Sequence, residues 1–455
     1  MPRKPNIILI TFDDCRADRL GVAGYQKNIT PFLDSLAREG FYFRKAFATG
    51  SGSPQSFVGT LTSTYPGDYV GFSYIGPPRV LVSEVFKKSG YETIAVHSAA
   101  YMSAYFGYDR GWDTFCYLSH FQEGGTMAGI RKETLQAKVL RGIAGARRWV
   151  KKNIPPLAPI FAIIERIALL VRKLISEAAD FTPPFFTGDE MNVEVKKLLD
   201  RRKSKKPLFL WVHYMDIHEP LALFWRRSGN FVKKLKYHLG DIALFLVGDV
   251  PWLNRFFKKL YLELYDASVV SADRHIGELF RYLKSAGVID ENSVVAVCSD
   301  HGEEFFEKGA FGHEQRPFNT NLNVPLVFWG PKRVKTGSTS RPVSLIDVSP
   351  TLLDFAGVKK PSVFAGENLF NEKPRPVIAQ TIDCEGDLTN PKYLGGMLIS
   401  NGRKVIDFKG ELMLFSMDDM AERHNLAERE PKLAAELAKE LNGYKPKVLH
   451  KLEKI

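Results

Sequence analysis

The sequence predicts an α/β protein with a mostly parallel, doubly wound central sheet, helices on both faces, and a small C-terminal α+β subdomain. Three observations carry this. Short apolar, β-branched runs alternate with helical patterns up to residue 370. Two of those runs end in charged residues, Asp13-Asp14 and Asp300-His301, where an open parallel sheet places its ligand crevice. After Asn371-Glu372-Lys373-Pro374 the pattern changes to closely spaced short strands and a final amphipathic helix.

The strand signals fall at 6–12, 92–96, 207–212, 293–298 and 324–328, each bounded by Gly, Pro or acids. They are continuously apolar rather than alternating, which is the pattern of strands covered on both faces. A Ser/Gly-rich turn at 49–57 leads into a helix expected over 56–61. Beyond residue 371, strands at 377–381, 396–400, 403–408 and 412–415 precede a helix near 431–441. The expected division is a catalytic domain over 1–370, interrupted by basic insertions at about 131–180 and 221–261, and a subdomain over 371–455.

With 455 residues the chain is long enough for roughly two to three domains, and 45% hydrophobic against 25% charged residues excludes disordered and fibrous classes. The four cysteines show no CxxC spacing, which argues against a disulfide framework or a structural zinc site and fits a reducing compartment. The apolar run after the N-terminus is too short for a secretory signal, and no uncharged stretch approaches the length of about 18 residues that spans a bilayer. The expectation is a cytoplasmic protein.

The formal charge of +12 is concentrated. Residues 131–180 hold eleven Lys/Arg against four acids and residues 221–261 hold eight against two, so these windows account for the whole excess. Both are apolar at helical spacing: Ile160, Ile163, Ile164, Ile167, Leu170, Val171, Leu174 and Ile175 form one stripe, and Trp252, Phe256, Phe257, Leu260 and Leu264 another. A basic flank beside an apolar face suits an anionic membrane surface, here the inner face of the membrane. Packing in a core or an oligomer is the competing account. Nucleic acid is disfavoured, since no RNA or DNA motif is present.

Two adjacent carboxylates at a strand end repel unless a cation relieves them. A second Asp beside a His at another strand end makes a mixed donor set that favours Mn²⁺ or Zn²⁺ over Ca²⁺ or Mg²⁺. The Ser/Gly turn adds a hydroxyl at a helix N-terminus, where an anionic substrate is stabilised. That serine is equally a helix N-cap in type.

The run Pro5 to Asp18, containing Thr11-Phe12-Asp13-Asp14, and Thr30-Pro31-Phe32 to Gly40 resemble the opening of sulfatases in the alkaline phosphatase superfamily. Gly111-Trp112-Asp113, Asp216-Ile217-His218-Glu219-Pro220, Ser299-Asp300-His301-Gly302-Glu303 and Asp347 to Leu353 extend the likeness, and Leu412 to Ala427 is similar to the family's closing segment. The resemblance implies an alkaline phosphatase-like fold and one divalent ion held by Asp13, Asp14, Asp300 and His301. It places the nucleophile at Ser53, with Ser51 as runner-up, and gives His218 and His313 contacts with the ester or leaving group. An Asp216-x-His218 spacing shorter than that of two-metal relatives favours a single ion.

Sulfatases carry Cys-x-Pro-x-Arg, or Ser for Cys, converted to formylglycine; this chain has Ser53-Pro54-Gln55-Ser56-Phe57. The departure points to an unmodified serine acting on phosphoric or sulfuric esters, as hydrolase or transferase, with a lipid-linked substrate consistent with the basic windows. The alternatives are a formylglycine-type sulfuric ester hydrolase and an inactive membrane-associated scaffold. His213 is expected in the core, His97 at a strand end, Arg16 in a salt bridge or at the substrate, and Asp347 as a helix cap.

Overall fold

The computed structural model describes residues 3–69, 74–119, 186–218, 251–313, 315–383 and 392–446. An eight-stranded sheet is built from β1 (Ile7–Phe12), β2 (Phe41–Phe43), β3 (Glu92–His97), β4 (Thr114–Tyr117), β5 (Leu208–Tyr214), β6 (Val294–Ser299), β7 (Leu326–Trp329) and β8 (Gly337–Thr339). Across the sheet the order is β8-β2-β7-β6-β1-β5-β3-β4. Among these strands β7 alone is antiparallel to its neighbours. Every residue of β1, β5 and β6 is buried, which is why their sequences are apolar without alternation.

Register sets the site. Phe12 pairs with Tyr214 on one side and Ser299 on the other, so three neighbouring parallel strands end at one level. The Asp13 N–H donates to Tyr214 O at 3.0 Å and the Asp300 N–H to Phe12 O at 3.2 Å, which carries the ladder one residue past the strands. Asp13-Asp14, Asp300-His301 and Asp216-Ile217-His218 therefore leave the sheet side by side.

The helices are α1 (Pro31–Glu39), α2 (Ser53–Thr62), α3 (Val82–Lys88), α4 (Gly188–Asp200), α5 (Pro251–Ser285), α6 (Val348–Phe355) and α7 (Pro431–Asn442). The α1 N-terminus is held by α5, where the Asp273 carboxylate accepts the Phe32 and Leu33 N–H groups at 3.0 and 2.8 Å. Helix α2 begins at Ser53, three residues before the expected start, because Pro54 suits the first helical turn and Gly52 is an extended N-cap. A Cβ on Gly50 would lie 2.4 Å from Gln55 Cβ, so the turn closes only with glycine there.

The apolar run at 324–328 is not one strand. Pro325 cannot donate to a ladder, and the chain divides around it: Asn323–Val324 pairs with Ala46–Phe47 in a separate small sheet, and β7 starts afterwards. A column of stacked rings crosses the sheet, with centroids of Phe86 and Phe209 at 4.3 Å, Phe209 and Trp112 at 5.3 Å, Trp112 and Trp211 at 5.9 Å, and Trp211 and His97 at 5.4 Å.

Strands β9 (Val377–Asp383), β10 (Lys392–Ser400), β11 (Arg403–Phe408) and β12 (Glu411–Ser416) form an antiparallel sheet in chain order. Ile378, Leu398, Val405 and Leu414 pack there against Ala434, Leu437 and Leu441 of α7. The Gln380 N–H donates to Thr49 O at 2.9 Å, fixing the turn that precedes Ser53.

The chain divides into two compact units, Met1–Leu118 with Thr187–His218 and Asp266–Ile455, and Ser119–Phe186 with Glu219–Tyr265. The window 131–180, most of 221–261, and the side chains of both apolar stripes except Leu264 lie outside the described residues; Leu264 is buried. Among the described residues no helix is long and apolar enough to cross a membrane. Cys15, Cys116 and Cys298 are free thiols.

Candidate active site

The carboxyl ends of β1, β5 and β6 and the N-terminus of α2 bring the predicted residues together. The Ser53 hydroxyl donates to Asp13 Oδ1 at 3.2 Å and lies 3.1 Å from His301 Nε2. That same His301 nitrogen is 3.3 Å from Asp13 Oδ1 and 3.6 Å from Asp300 Oδ2, while His301 Nδ1 is 2.8 Å from Asp14 Oδ1. His218 Nδ1 sits 2.6 Å from Asp13 Oδ2 and 3.4 Å from Asp14 Oδ2. His313 Nδ1 is 3.3 Å from Glu303 Oε2 and 3.6 Å from Asp14 Oδ1. Asp13, Asp14, Asp300 and His301 are buried, whereas the His218 and His313 side chains are 30% and 37% exposed. The acids thus form a floor and the two histidines a rim.

The turn after β1 is made by Asp14 at φ +58°, a left-handed conformation that aspartate tolerates better than most residues. The Asp14 N–H reaches Asp300 Oδ1 at 3.3 Å, and the His301 N–H donates to the same oxygen at 2.8 Å. With Oδ1 so engaged, the buried Asp300 Oδ2 accepts no hydrogen bond. Three buried carboxylates with an unsatisfied oxygen among them fit a cation. Ligand atoms lie within 4.8 Å of one another in three overlapping groups: Asp13, Asp14 and His218; Asp14, His301 and His313; and Asp13, His213 and Asp300. The four expected ligands are thus spread over groups linked by Asp13 and Asp14, and carboxylate oxygens mixed with imidazoles suit a divalent cation.

The charges respond to this crowding. Burial and the Asp14 carboxylate push Asp13 up, but the His218 and His301 rings outweigh them and hold it at about 2. Burial and the Asp13 carboxylate drive Asp300 well above the ordinary range for an acid. Burial opposes a charged His301, yet the Asp300 and Asp14 carboxylates lift its pKa well above a free histidine's. His218 behaves likewise: burial opposes its charge and Asp13 more than restores it. Burial and Asp14 raise Glu303 to about 7.

Ser51 turns toward Gln315 Oε1 at 3.5 Å, away from the acids. His213 is a core residue, its pKa pushed down to about 4 by burial, but its position beside Asp13 and Asp300 was not anticipated. His97 is buried in the ring column. Arg16 forms salt bridges to Asp18 and Glu307 at 2.6 and 3.0 Å. Asp347 stands at the N-cap position of α6 but its side chain makes no cap hydrogen bond; it accepts instead from the Glu367 N–H and from Arg375 at 2.8 and 2.6 Å. Asp216 faces away from the cluster, 2.6 Å from His275 Nδ1. A fourth group with ligand-like spacing, Asp189, His275 and Glu278, already contains the Arg274 guanidinium, 3.0 Å from Glu278. Glu303 is the partner that sequence reasoning left without a role, although it stands two residues beyond His301.

The Sulfatase family model matches residues 5–358. An N-acetylglucosamine-6-O-sulfatase of Bacteroides thetaiotaomicron is 25% identical, with 81% of this chain and 70% of that protein covered. A structure solved in complex with its substrate D-glucosamine-2-N,6-O-disulfate has a TM-score of 0.69 at 18% identity, covering 99% of this chain and 100% of that one. The phosphonate monoester hydrolase of Agrobacterium radiobacter has a TM-score of 0.63 at 17% identity, covering 97% and 95% respectively. With the family model spanning most of its length and the strand ends carrying the predicted cluster, this chain belongs to the sulfatase family and is a hydrolase of that family.

Proposed function

We propose that Ser53, as an unmodified alcohol, is the nucleophile of a metal-dependent phosphoesterase, hydrolysing or transferring phosphoric esters. The observation that carries this is the Ser53 hydroxyl lying between Asp13 Oδ1 and His301 Nε2 at the N-terminus of α2. Asp13, Asp14, Asp300 and His301 would hold one divalent cation, Mn²⁺ or Zn²⁺ by donor type. When bound, such a cation supplies Lewis acidity, lowering the hydroxyl's pKa and neutralising the ester's non-bridging oxygens.

The residues divide the remaining work. The α2 N-terminus favours the anionic ester. Ser53 Oγ attacks phosphorus in line as the bond to the leaving alcohol breaks, and its proton passes to the Asp13 carboxylate oxygen to which the hydroxyl already donates. His218 and His313, held charged by Asp13, Asp14 and Glu303, stand at the exposed rim as donors to the departing oxygen, a contribution of roughly 10²- to 10⁴-fold. Water or an acceptor alcohol then displaces Ser53 from phosphorus.

The unmodified-serine reading is supported by Phe57, which stands where the formylglycine signature has arginine. Its ring is buried against His213 and Trp211 at 4.8 and 5.6 Å. Sulfate-ester hydrolysis is the second reading, favoured by the likeness to the N-acetylglucosamine-6-O-sulfatase.

The test is turnover of p-nitrophenyl phosphate, bis-p-nitrophenyl phosphate and p-nitrophenyl sulfate, with mass spectrometry of the Ser53 peptide. Phosphate esters should be cleaved, the peptide should carry intact serine, and Ser53→Ala should lower kcat by roughly 10⁴-fold or more. Turnover of the sulfate alone, or a mass loss at Ser53, would establish the second reading instead.

A further inference from the structure

The active-site loop that carries His301, Glu303 and His313 is anchored from behind by a buried ion pair belonging to the C-terminal antiparallel sheet and the turn that follows it. Lys404, on β11, and Glu422, in the turn after β12, have side chains 1% exposed and lie 2.6 Å apart. A buried lysine–glutamate pair is weak evidence of a stability device, because desolvating both charges can exceed what their attraction returns. What the pair also touches is more informative.

Both partners converge on Asn319. Lys404 Nζ donates to Asn319 Oδ1 at 2.7 Å, the Asn319 N–H donates to Glu422 Oε2 at 3.0 Å, and Asn319 Nδ2 donates to Met420 O at 3.0 Å. Two residues later, Asn321 O accepts the N–H of Gly302, the neighbour of His301, at 2.8 Å. The contact is close: a Cβ on Gly302 would sit 2.3 Å from Thr320 O. The other side of the loop is tied to the same turn, since Lys308 Nζ donates to Glu422 O while the Lys308 N–H donates to Glu304 Oε1 at 2.8 Å. Glu422 itself stands at φ +53°, and its turn is closed by Asp419, whose carboxylate accepts the Arg423 and His424 N–H groups, each at 2.8 Å. A left-handed non-glycine residue held this firmly keeps one carboxylate in one place.

We propose that Lys404 and Glu422 are positioning residues for the reaction, setting through Asn319 the height of the His301–His313 loop above Asp13, Asp14 and Ser53. This rests on the metal-dependent reading given above, so the test includes a readout that needs no cation. Three variants are compared with wild type: Asn319→Ala, which leaves the ion pair and removes its side-chain tie to the loop, Glu422→Gln, and the apolar double variant K404M/E422L. The readouts are the His301 and His313 ring resonances in the ion-free protein, Mn²⁺ affinity by calorimetry, kcat and KM, and the Tm of the ion-free chain.

The expected result is displaced His301 and His313 resonances and a Mn²⁺ affinity reduced by roughly 10-fold or more in Asn319→Ala and K404M/E422L, within the range found for groups that orient metal ligands. kcat should fall more than KM rises, and Tm should stay near wild type in Asn319→Ala. Should the double variant fail to fold, Asn319→Ala decides alone. Wild-type resonances in a folded Asn319→Ala protein overturn the proposal, because the pair would then be structural only. A wild-type chain that binds no Mn²⁺ or Zn²⁺ defeats the functional reading and leaves the resonances to decide this one.

Discussion

At the scale of single residues, the cluster stores protons where a cation would sit. In the ion-free protein Asp300 and His301 both hold protons to higher pH than free side chains do. A cation must displace them, so binding should release protons and tighten as pH rises through these titrations, by about tenfold per pH unit for each proton displaced, then level off. Calorimetry in two buffers of different ionisation heat measures this release; binding without it would contradict the protonation pattern. That the acids at the ends of apolar strands would gather in one cluster was legible, because acids in such places have few structural uses. The placement of Ser53 beside these acids was legible from the Ser/Gly turn and the resemblance it completes. Glu303 and His213 were not, because their roles arise from neighbours that only the folded chain supplies: His313 for one, Asp13 and Asp300 for the other.

At the scale of elements, α1 is held to α5 by one buried acid. Burial raises the Asp273 carboxyl from an ordinary 3.8 to about 6, against the pull of the two N–H groups it accepts. The folded chain therefore keeps this proton up to about pH 6 while the unfolded chain loses it near 3.8. Between those values the native state binds more protons, so stability falls as pH rises, by on the order of 2–3 kcal/mol from this residue, and stays lower above the window. Asp273→Asn keeps an acceptor for Phe32 and Leu33 and should lose this component. Urea midpoints of both proteins at about pH 4 and about pH 7 check it, and parallel behaviour would rule it out. The long central strands could be read because burial on both faces makes them continuously apolar. β2 and β8 could not: each has three residues, and β8 is largely exposed and polar. The divided 324–328 run shows that apolar continuity does not report the proline that sends two halves to different sheets.

At the scale of the whole molecule, β/α alternation predicted the parallel sheet, and the change of pattern after residue 371 predicted the group of short strands that the structure shows paired antiparallel. The three strand ends at one level were beyond reach, because register depends on pairings between segments far apart in sequence, such as Thr11 with His213 and with Cys298. The column of stacked rings has an optical consequence. Trp211 Nε1 donates to Thr11 Oγ1 at 2.9 Å, and that oxygen lies 3.0 Å from His213 Nδ1, whose ring stands beside Asp13 and Asp300. A charge arriving among the carboxylates changes the field at this indole, so the protein should announce occupancy in its own fluorescence. Titrating Mn²⁺ or Zn²⁺ should shift emission with the calorimetric midpoint, and Trp211→Phe should silence most of that signal; a full response without Trp211 would mean the light comes from elsewhere.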